Sequence, residues 1–341
     1  MQLVLANLVK FFGDKEVLRN VSFTADSGKA VGLLGRNGAG KTTTIRIIMN
    51  VFPPDQGDVL LDGKLLRHSK TRIGYMPEEK GLYPKIKIKD QLTYLAELRG
   101  LSRSDARKSV RYWLERLEMT EYLDKKLETL SKGNQQKIQL AVALLSNPEI
   151  VILDEPFSGL DPVNAQLLKE VVNEQVAQGK IVLFSSHQMN YVETFCDDVA
   201  ILHGGEITLN GNIREIKRGY PRNRLAITLS DGSSTQAWPA ERVQTWLIGL
   251  AGQPGTLRQI IDRVECVHET CQVVLHQSEQ RDQLLHELVK MQASIEQFSI
   301  VEPTLEDIFI EKTGNNELEQ PGANGGLDRS PGRQDEKGCK L

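Results

Sequence analysis

The sequence predicts an α/β fold with a sheet core and a helical layer, followed by a smaller α+β unit. Three observations carry this. Ala30-Val31-Gly32-Leu33-Leu34 reads as a short buried strand and leads through a glycine-rich loop into Thr44-Ile45-Arg46-Ile47-Ile48-Met49, a helix with one apolar side. Ile150-Val151-Ile152-Leu153 and Ile181-Val182-Leu183-Phe184 are apolar throughout, as suits strands buried on both faces of a parallel sheet. Beyond Arg224, strand-like and helix-like stretches follow in the order βαββαβ.

The 341 residues suffice for one large domain and a smaller one. Apolar residues make up 40% and charged residues 26%, ordinary values for a globular chain. A net charge of −3 gives no basis for sequence-independent nucleic-acid binding, and no nucleic acid is expected as partner. No apolar run approaches the roughly 18 residues needed to cross a bilayer. Met1 to Lys10 alternates like a strand and lacks the plan of a signal peptide. Cys196, Cys266, Cys271 and Cys339 form no C-x-x-C pair, which points to free thiols in a reducing cytoplasm. Any action at a membrane is therefore expected to run through a partner.

Taken in order, Gln2 to Leu8 and Val21 to Thr24 read as strands around the turn Gly13-Asp14-Lys15. Phe11 and Phe12 precede that turn; a phenylalanine there is either core or, if exposed, a platform for an aromatic base. Gly35-Arg36-Asn37-Gly38-Ala39-Gly40-Lys41-Thr42-Thr43 fits G-x-x-x-x-G-K-[ST], the loop that cradles nucleotide phosphates. Its glycines let backbone N–H groups point inward at an anion, and the helix that follows adds its positive end. Lys41 can reach the β- and γ-phosphates, and the Thr42 hydroxyl can ligate Mg²⁺.

Val59-Leu60-Leu61-Asp62-Gly63 and Arg72-Ile73-Gly74-Tyr75-Met76 read as strands. Lys89 to Glu128 is helical in pattern, and Ser131-Lys132-Gly133-Asn134 opens a further helix to Leu145. The apolar run from Ile150 ends in Asp154-Glu155, two carboxylates where parallel sheets bind ligands. Mg²⁺ would compensate a buried acid pair that is otherwise costly to desolvate. A loop from Pro156 to Pro162 leads into a helix over Val163 to Gln178. The run from Ile181 ends in Ser185-Ser186-His187, and a histidine at a buried strand's end gains functional weight from the acid pair at the neighbouring one. A hairpin over Val199 to Leu209 and a short helix to Arg218 precede Gly219-Tyr220-Pro221, which marks a domain edge.

Together these segments resemble the nucleotide-binding subunit of an ATP-binding-cassette (ABC) transporter, a P-loop NTPase, over Gln2 to about Arg218. By that resemblance the cassette spans 1–218 with a helical subdomain at about 86–146. Asp154 would hold Mg²⁺ through water, and Glu155 would orient or deprotonate the attacking water. His187 would contact the γ-phosphate, and Phe12 would stack on the adenine. Ser158 to Asp161 would cross a dimer interface.

The family's Leu-Ser-Gly-Gly-Gln signature stands here as Leu130-Ser131-Lys132-Gly133-Asn134, which retains the serine and second glycine that would face a nucleotide held by a partner copy. Met76-Pro77-Glu78 stands where the family usually has a glutamine, so Glu78 would ligate Mg²⁺ with an extra negative charge. Both departures resemble bacterial exporter ATPases that serve a separate permease, sodium-efflux types among them. The resemblance implies a head-to-tail homodimer around ATP and Mg²⁺, seated on an integral membrane permease at the cytoplasmic face of the cell membrane. The cargo would be sodium or a drug. A soluble ABC ATPase without a transport role is the alternative reading, and the chain lacks the inserted coiled coils or tandem cassettes expected of it.

The βαββαβ order places a ferredoxin-like unit at 219–312, with Pro303-Thr304-Leu305-Glu306-Asp307-Ile308-Phe309 capping a last helix. No catalytic cluster is visible there; His268, His276 and His286 lack acids or thiols at ligand spacing. Dimer contact or regulation is its expected role. Residues 313–341 are rich in Gly, Asn and charge and are expected to be disordered.

Overall fold

The computed structural model of the chain describes residues 1–79, 81–230, 237–252, 255–267 and 270–318. It contains three sheets, each with its own buried cluster on at least one face.

The first sheet is antiparallel, in the order β2-β1-β4-β5, from β1 (Gln2–Phe12), β2 (Lys15–Asp26), β4 (Gln56–Leu61) and β5 (Lys64–Leu65). Its strands β1 and β2 are longer than the sequence pattern predicts and close in a tight hairpin in which Phe12 is paired with Lys15. The second sheet has the order β10-β9-β3-β8-β7-β6. It comprises β3 (Lys29–Leu34), β6 (Ile73–Met76), β7 (Ile150–Asp154), β8 (Ile181–Ser186), β9 (Asp198–His203) and β10 (Glu206–Asn212). All neighbours in it are parallel except β9 and the edge strand β10. Every residue of β7 and β8 is buried, which is why both read as unbroken apolar runs.

Between the first and second sheets lies α1 (Lys41–Ile48), whose Ile45, Ile47 and Ile48 enter the core shared by β1, β3 and β7. The helical layer holds α2 (Ile88–Leu98), α3 (Arg103–Arg116) and α4 (Lys132–Leu144). Gly100 breaks the stretch that the pattern joined as one helical block, with a backbone φ of 89°. Ser102 caps α3 by accepting from the Asp105 amide. The remaining helices of this half are α5 (Pro162–Ala177), α6 (Met189–Phe195) and α7 (Ile213–Arg218).

The third sheet, in the order β12-β13-β11-β14, is antiparallel throughout. It is built from β11 (Arg224–Ser230), β12 (Ile261–Val267), β13 (Thr270–Leu275) and β14 (Ser294–Ile300). In chain order this is 4-1-3-2, the arrangement expected of a ferredoxin-like unit. Its helices are α8 (Ala240–Ala251), α9 (Thr256–Ile260) and α10 (Arg281–Lys290); α9 is an addition that the sequence pattern did not signal. Val243, Leu247, Leu284 and Leu288 supply the buried helix side of its core. The last helix, α11 (Leu305–Leu318), runs into the stretch from 313 for which the composition predicts disorder; 319–341 lie outside the described residues, as does His268. No helix among the described residues is long and apolar enough to cross a membrane.

Candidate active site

Four parallel strands deliver their C-terminal ends to one place. Gly35 follows β3, Glu155 follows β7, His187 follows β8, and Glu78 lies two residues past β6. The register aligns them, with Leu34 beside Ser186, Asp154 beside Ser185 and Met76 beside Leu153. The result is a cleft of about 390 Å³ lined by Arg36, Asn37, Gly38, Gly40, Lys41, Thr42, Thr43, Glu78, Asp154 and Glu155, with Lys15 and Val17 of β2 at its side. A crevice at the carboxyl ends of parallel strands is where such sheets bind ligands.

The floor of the cleft is the start of α1. Gly40 is its N-cap in a left-handed conformation, φ 111°, and a Cβ there would lie 2.6 Å from Leu18. No side chain caps the helix and no acidic residue enters its first turn. The amides of Lys41, Thr42 and Thr43 have no acceptor within the helix, whereas Thr44 N reaches Gly40 O at 2.9 Å. An uncapped helix start free of acids favours an anion.

Above this floor sit the charges. Lys41 is 7% exposed; its Nζ donates to Gly35 O at 2.6 Å and lies 3.6 Å from Glu155 Oε1. Nδ1 of His187 approaches the same oxygen at 2.9 Å. Neither contact is a hydrogen bond, the one to Lys41 being too long, so this buried oxygen is left without one. The other oxygen, Oε2, accepts from Ser186 Oγ at 3.3 Å. Glu155 itself has a left-handed backbone, φ 51°, unusual for a residue with a long side chain.

Asp154 is held differently. Its Oδ1 accepts from the Ser185 hydroxyl and its Oδ2 from the Tyr75 hydroxyl at 3.3 Å. Burial pushes its carboxyl above the ordinary range, and the neighbouring Glu155 charge adds to this while the two hydroxyls oppose it. Burial, and then the charge of Asp154, push the Tyr75 hydroxyl up to about 12, so Tyr75 stays a proton donor to that carboxylate at neutral pH. No sequence motif marks Tyr75, Ser185 or Ser186 for this site; for the two serines the available signal is a polar pair ending β8, a strand buried along its whole length.

The acids Glu78, Asp154 and Glu155 line the cleft together with Lys41, Arg36 and Lys15. Hydroxyl and carboxylate oxygens from Thr42, Asp154 and Glu78 are the hard donors Mg²⁺ prefers. Among the described residues no three acids, histidines or cysteines are grouped to hold a metal ion.

The structure does not bring every expected residue into this cleft. Phe12 stands at the end of β1, half exposed, with its ring edge-on to Phe52 at 5.5 Å; it does not line the cleft, although its strand partner Lys15 does. Ser131, Gly133 and Asp161 form a separate cluster at the starts of α4 and α5. Ser131 caps α4 by accepting from Asn134 N at 3.3 Å, and Asp161 caps α5 by accepting from Asn164 N at 2.9 Å. A Cβ on Gly133 would come within 3.2 Å of the Asn164 amide, so the two helix starts are in contact. Gln136 Nε2 adds a bond to Ser158 O at 2.9 Å, and the Lys132 side chain lies over Gly159.

Comparison with known proteins agrees with this picture. Residues 18–158 match the family described as ABC transporter, and residues 211–313 match the C-terminal domain of ATP-binding proteins similar to DrrA1-3. The chain is 40% identical over 313 residues to the uncharacterized ABC transporter ATP-binding protein YhaQ of Bacillus subtilis, covering 92% of this chain and 98% of that protein. It is 35% identical over 209 residues to the linearmycin resistance ATP-binding protein LnrL of the same organism, covering 60% of this chain and 67% of LnrL. Its fold is similar to that of a bacterial ABC transporter cassette solved as a dimer, with a TM-score of 0.55 and 26% identity, covering 62% of this chain and 99% of that one.

Proposed function

Since the chain belongs to the ATP-binding proteins of ABC transporters, which are ATPases that work with membrane permeases, we propose that it binds ATP with Mg²⁺ in the cleft around Lys41 and hydrolyses it as a head-to-tail homodimer. That cycle drives a separate permease at the cytoplasmic face of the membrane. The observation that carries the reading is the convergence of Lys41 and His187 on one carboxylate oxygen of Glu155, directly above an uncapped helix start.

The chemistry is phosphoryl transfer to water, in which positioning and charge neutralisation do most of the work. The amides from Gly38 to Thr43 receive the β- and γ-phosphates, and Lys41 exchanges the Gly35 carbonyl for phosphate oxygens. Glu155 orients the attacking water and takes up its proton, while His187 faces the γ-phosphate from the end of β8. Mg²⁺, held by Thr42, by Glu78 and through water by Asp154, would neutralise the charge of the phosphates. Tyr75 and Ser185 keep both oxygens of Asp154 fixed for that role. Phe12, exposed at the hairpin's end, is available for the adenine.

Ser131, Gly133 and Asp161 serve the partner copy. Their place outside this chain's cleft and their mutual contact support a single closing surface offered in trans. ATP would join the two copies and hydrolysis release them, a two-state element biased by the γ-phosphate. The resemblance allows sodium or a drug as cargo, and the name of the linearmycin resistance relative speaks for the drug. The deciding experiment is co-purification of the tagged chain from membranes: a polytopic partner whose transport stops with ATP hydrolysis supports the proposal, and a purely soluble ATPase overturns it.

A further inference from the structure

We propose that Leu305 and Phe309 of the C-terminal helix are positioning residues for His187, acting through α6. The inference rests on the reading of His187 just given. α6 starts at Met189, right after His187 and Gln188, and no side chain caps it. A helix this short has little stability of its own and takes its place from what packs on it. On its inner side Val192 is fully buried and presses on β3 at Gly32, where a Cβ would lie 2.2 Å from Val192 Cγ1. Any larger residue at 32 would push α6 outward.

The other side of α6 is covered by α11. Leu305 and Phe309 are 0% and 4% exposed and belong to the same apolar cluster as Val192, not to that of the third sheet. The Leu305 amide donates to Glu193 Oε2 at 3.1 Å, and the other oxygen of Glu193 pairs with Lys217 of α7. α6 is thereby held between β3 on one side and α11 and α7 on the other.

A second contact bears on the phosphate loop. The Phe309 ring meets His203 edge-on, 5.8 Å between ring centres. His203 follows Leu202, whose carbonyl would lie 2.5 Å from a Cβ on Gly35. One helix at the C-terminal end of the described chain thus bears on the histidine loop and on the wall of the phosphate loop. Packed interiors pass such displacements on because they do not yield continuously.

The test uses the full chain with ¹³C-labelled histidines, the His187 signal being assigned with His187→Asn and His68 serving as internal reference. Phe309→Ala should move the signals of His203 and His187 and lower kcat about 2–30-fold. An unmoved His187 signal overturns the proposal, whatever happens to kcat. A moved His187 signal with unchanged kcat upholds the positioning and instead removes His187 from the catalytic reading. Where the alanine variant does not fold, Phe309→Leu, which fills the space but loses the ring contact, is judged by the same outcomes.

Discussion

Glu155 Oε1 and His187 Nδ1 stand 2.9 Å apart, so the ends of β7 and β8 meet through side chains as well as through the sheet. The Glu155 backbone at this contact is left-handed, φ 51°. A backbone of this kind costs on the order of 1–3 kcal/mol and persists where the surroundings hold it.

Replacing Glu155 by Gln keeps the shape and removes the proton acceptor. ATP turnover should fall by about 10²–10⁴ while nucleotide binding persists. Size-exclusion chromatography with ATP should then show an accumulated dimer; turnover at the parental rate would exclude Glu155 as the base.

Lys41→Ala takes a buried ammonium beside Glu155 out of the cleft. A hydrogen bond to a charged group contributes about 1.5–3 kcal/mol, so ATP should bind about 10–100-fold more weakly. Titration with a fluorescent nucleotide measures this, and an unaltered affinity would dissolve the assignment of the phosphate loop.

Ser131 has two tasks that can be told apart. As the cap of α4 it supports its own chain, and Ser131→Ala should lower stability by about 1 kcal/mol in denaturant titration. As a donor to the partner's nucleotide it should be needed for dimers of the Glu155→Gln chain. Dimers that still form with ATP would leave Ser131 with the cap alone.

Glu149 and Arg72 tie the entry of β7 to that of β6. Burial would raise the Glu149 carboxyl, but hydrogen bonds from the Arg72 side chain and backbone outweigh it and hold it below the ordinary 4.5. Its stabilising effect is therefore complete above that value and is lost as pH falls through the depressed one. Glu149→Gln should cost about 0.5 kcal/mol at pH 7, the pair being partly exposed. In thermal melts the difference between the two proteins should close as the pH drops below 4.5; a difference that persisted there would rule out the ion pair as its origin.

Much of this was legible before any coordinates. Strands β7 and β8 announce themselves because burial on both faces removes polar alternation, and in the phosphate loop Gly35 is there because the Leu202 carbonyl leaves no room for a Cβ, Gly38 and Gly40 because their φ is left-handed. The 4-1-3-2 sheet also follows from its element order. Other features depend on distant partners. Helix α6 is too short for a period to be read, and its place is set by Gly32 and by Leu305, residues that no local pattern connects to it. Tyr75 looks like a strand residue until the strand beside it delivers Asp154. The sequence points Ser131 at a nucleotide and Asp161 at a dimer interface, and their capping of α4 and α5 emerges only with the helix starts in place.

The seat of Phe309 and Leu305 against α6 limits how such proteins can be recombined. An appendage from one relative, grafted after the hairpin of another, would arrive with a plug cut for a foreign socket. Exchange between lineages should succeed only when Val192, Glu193 and Lys217 travel together with the tail that was shaped to them.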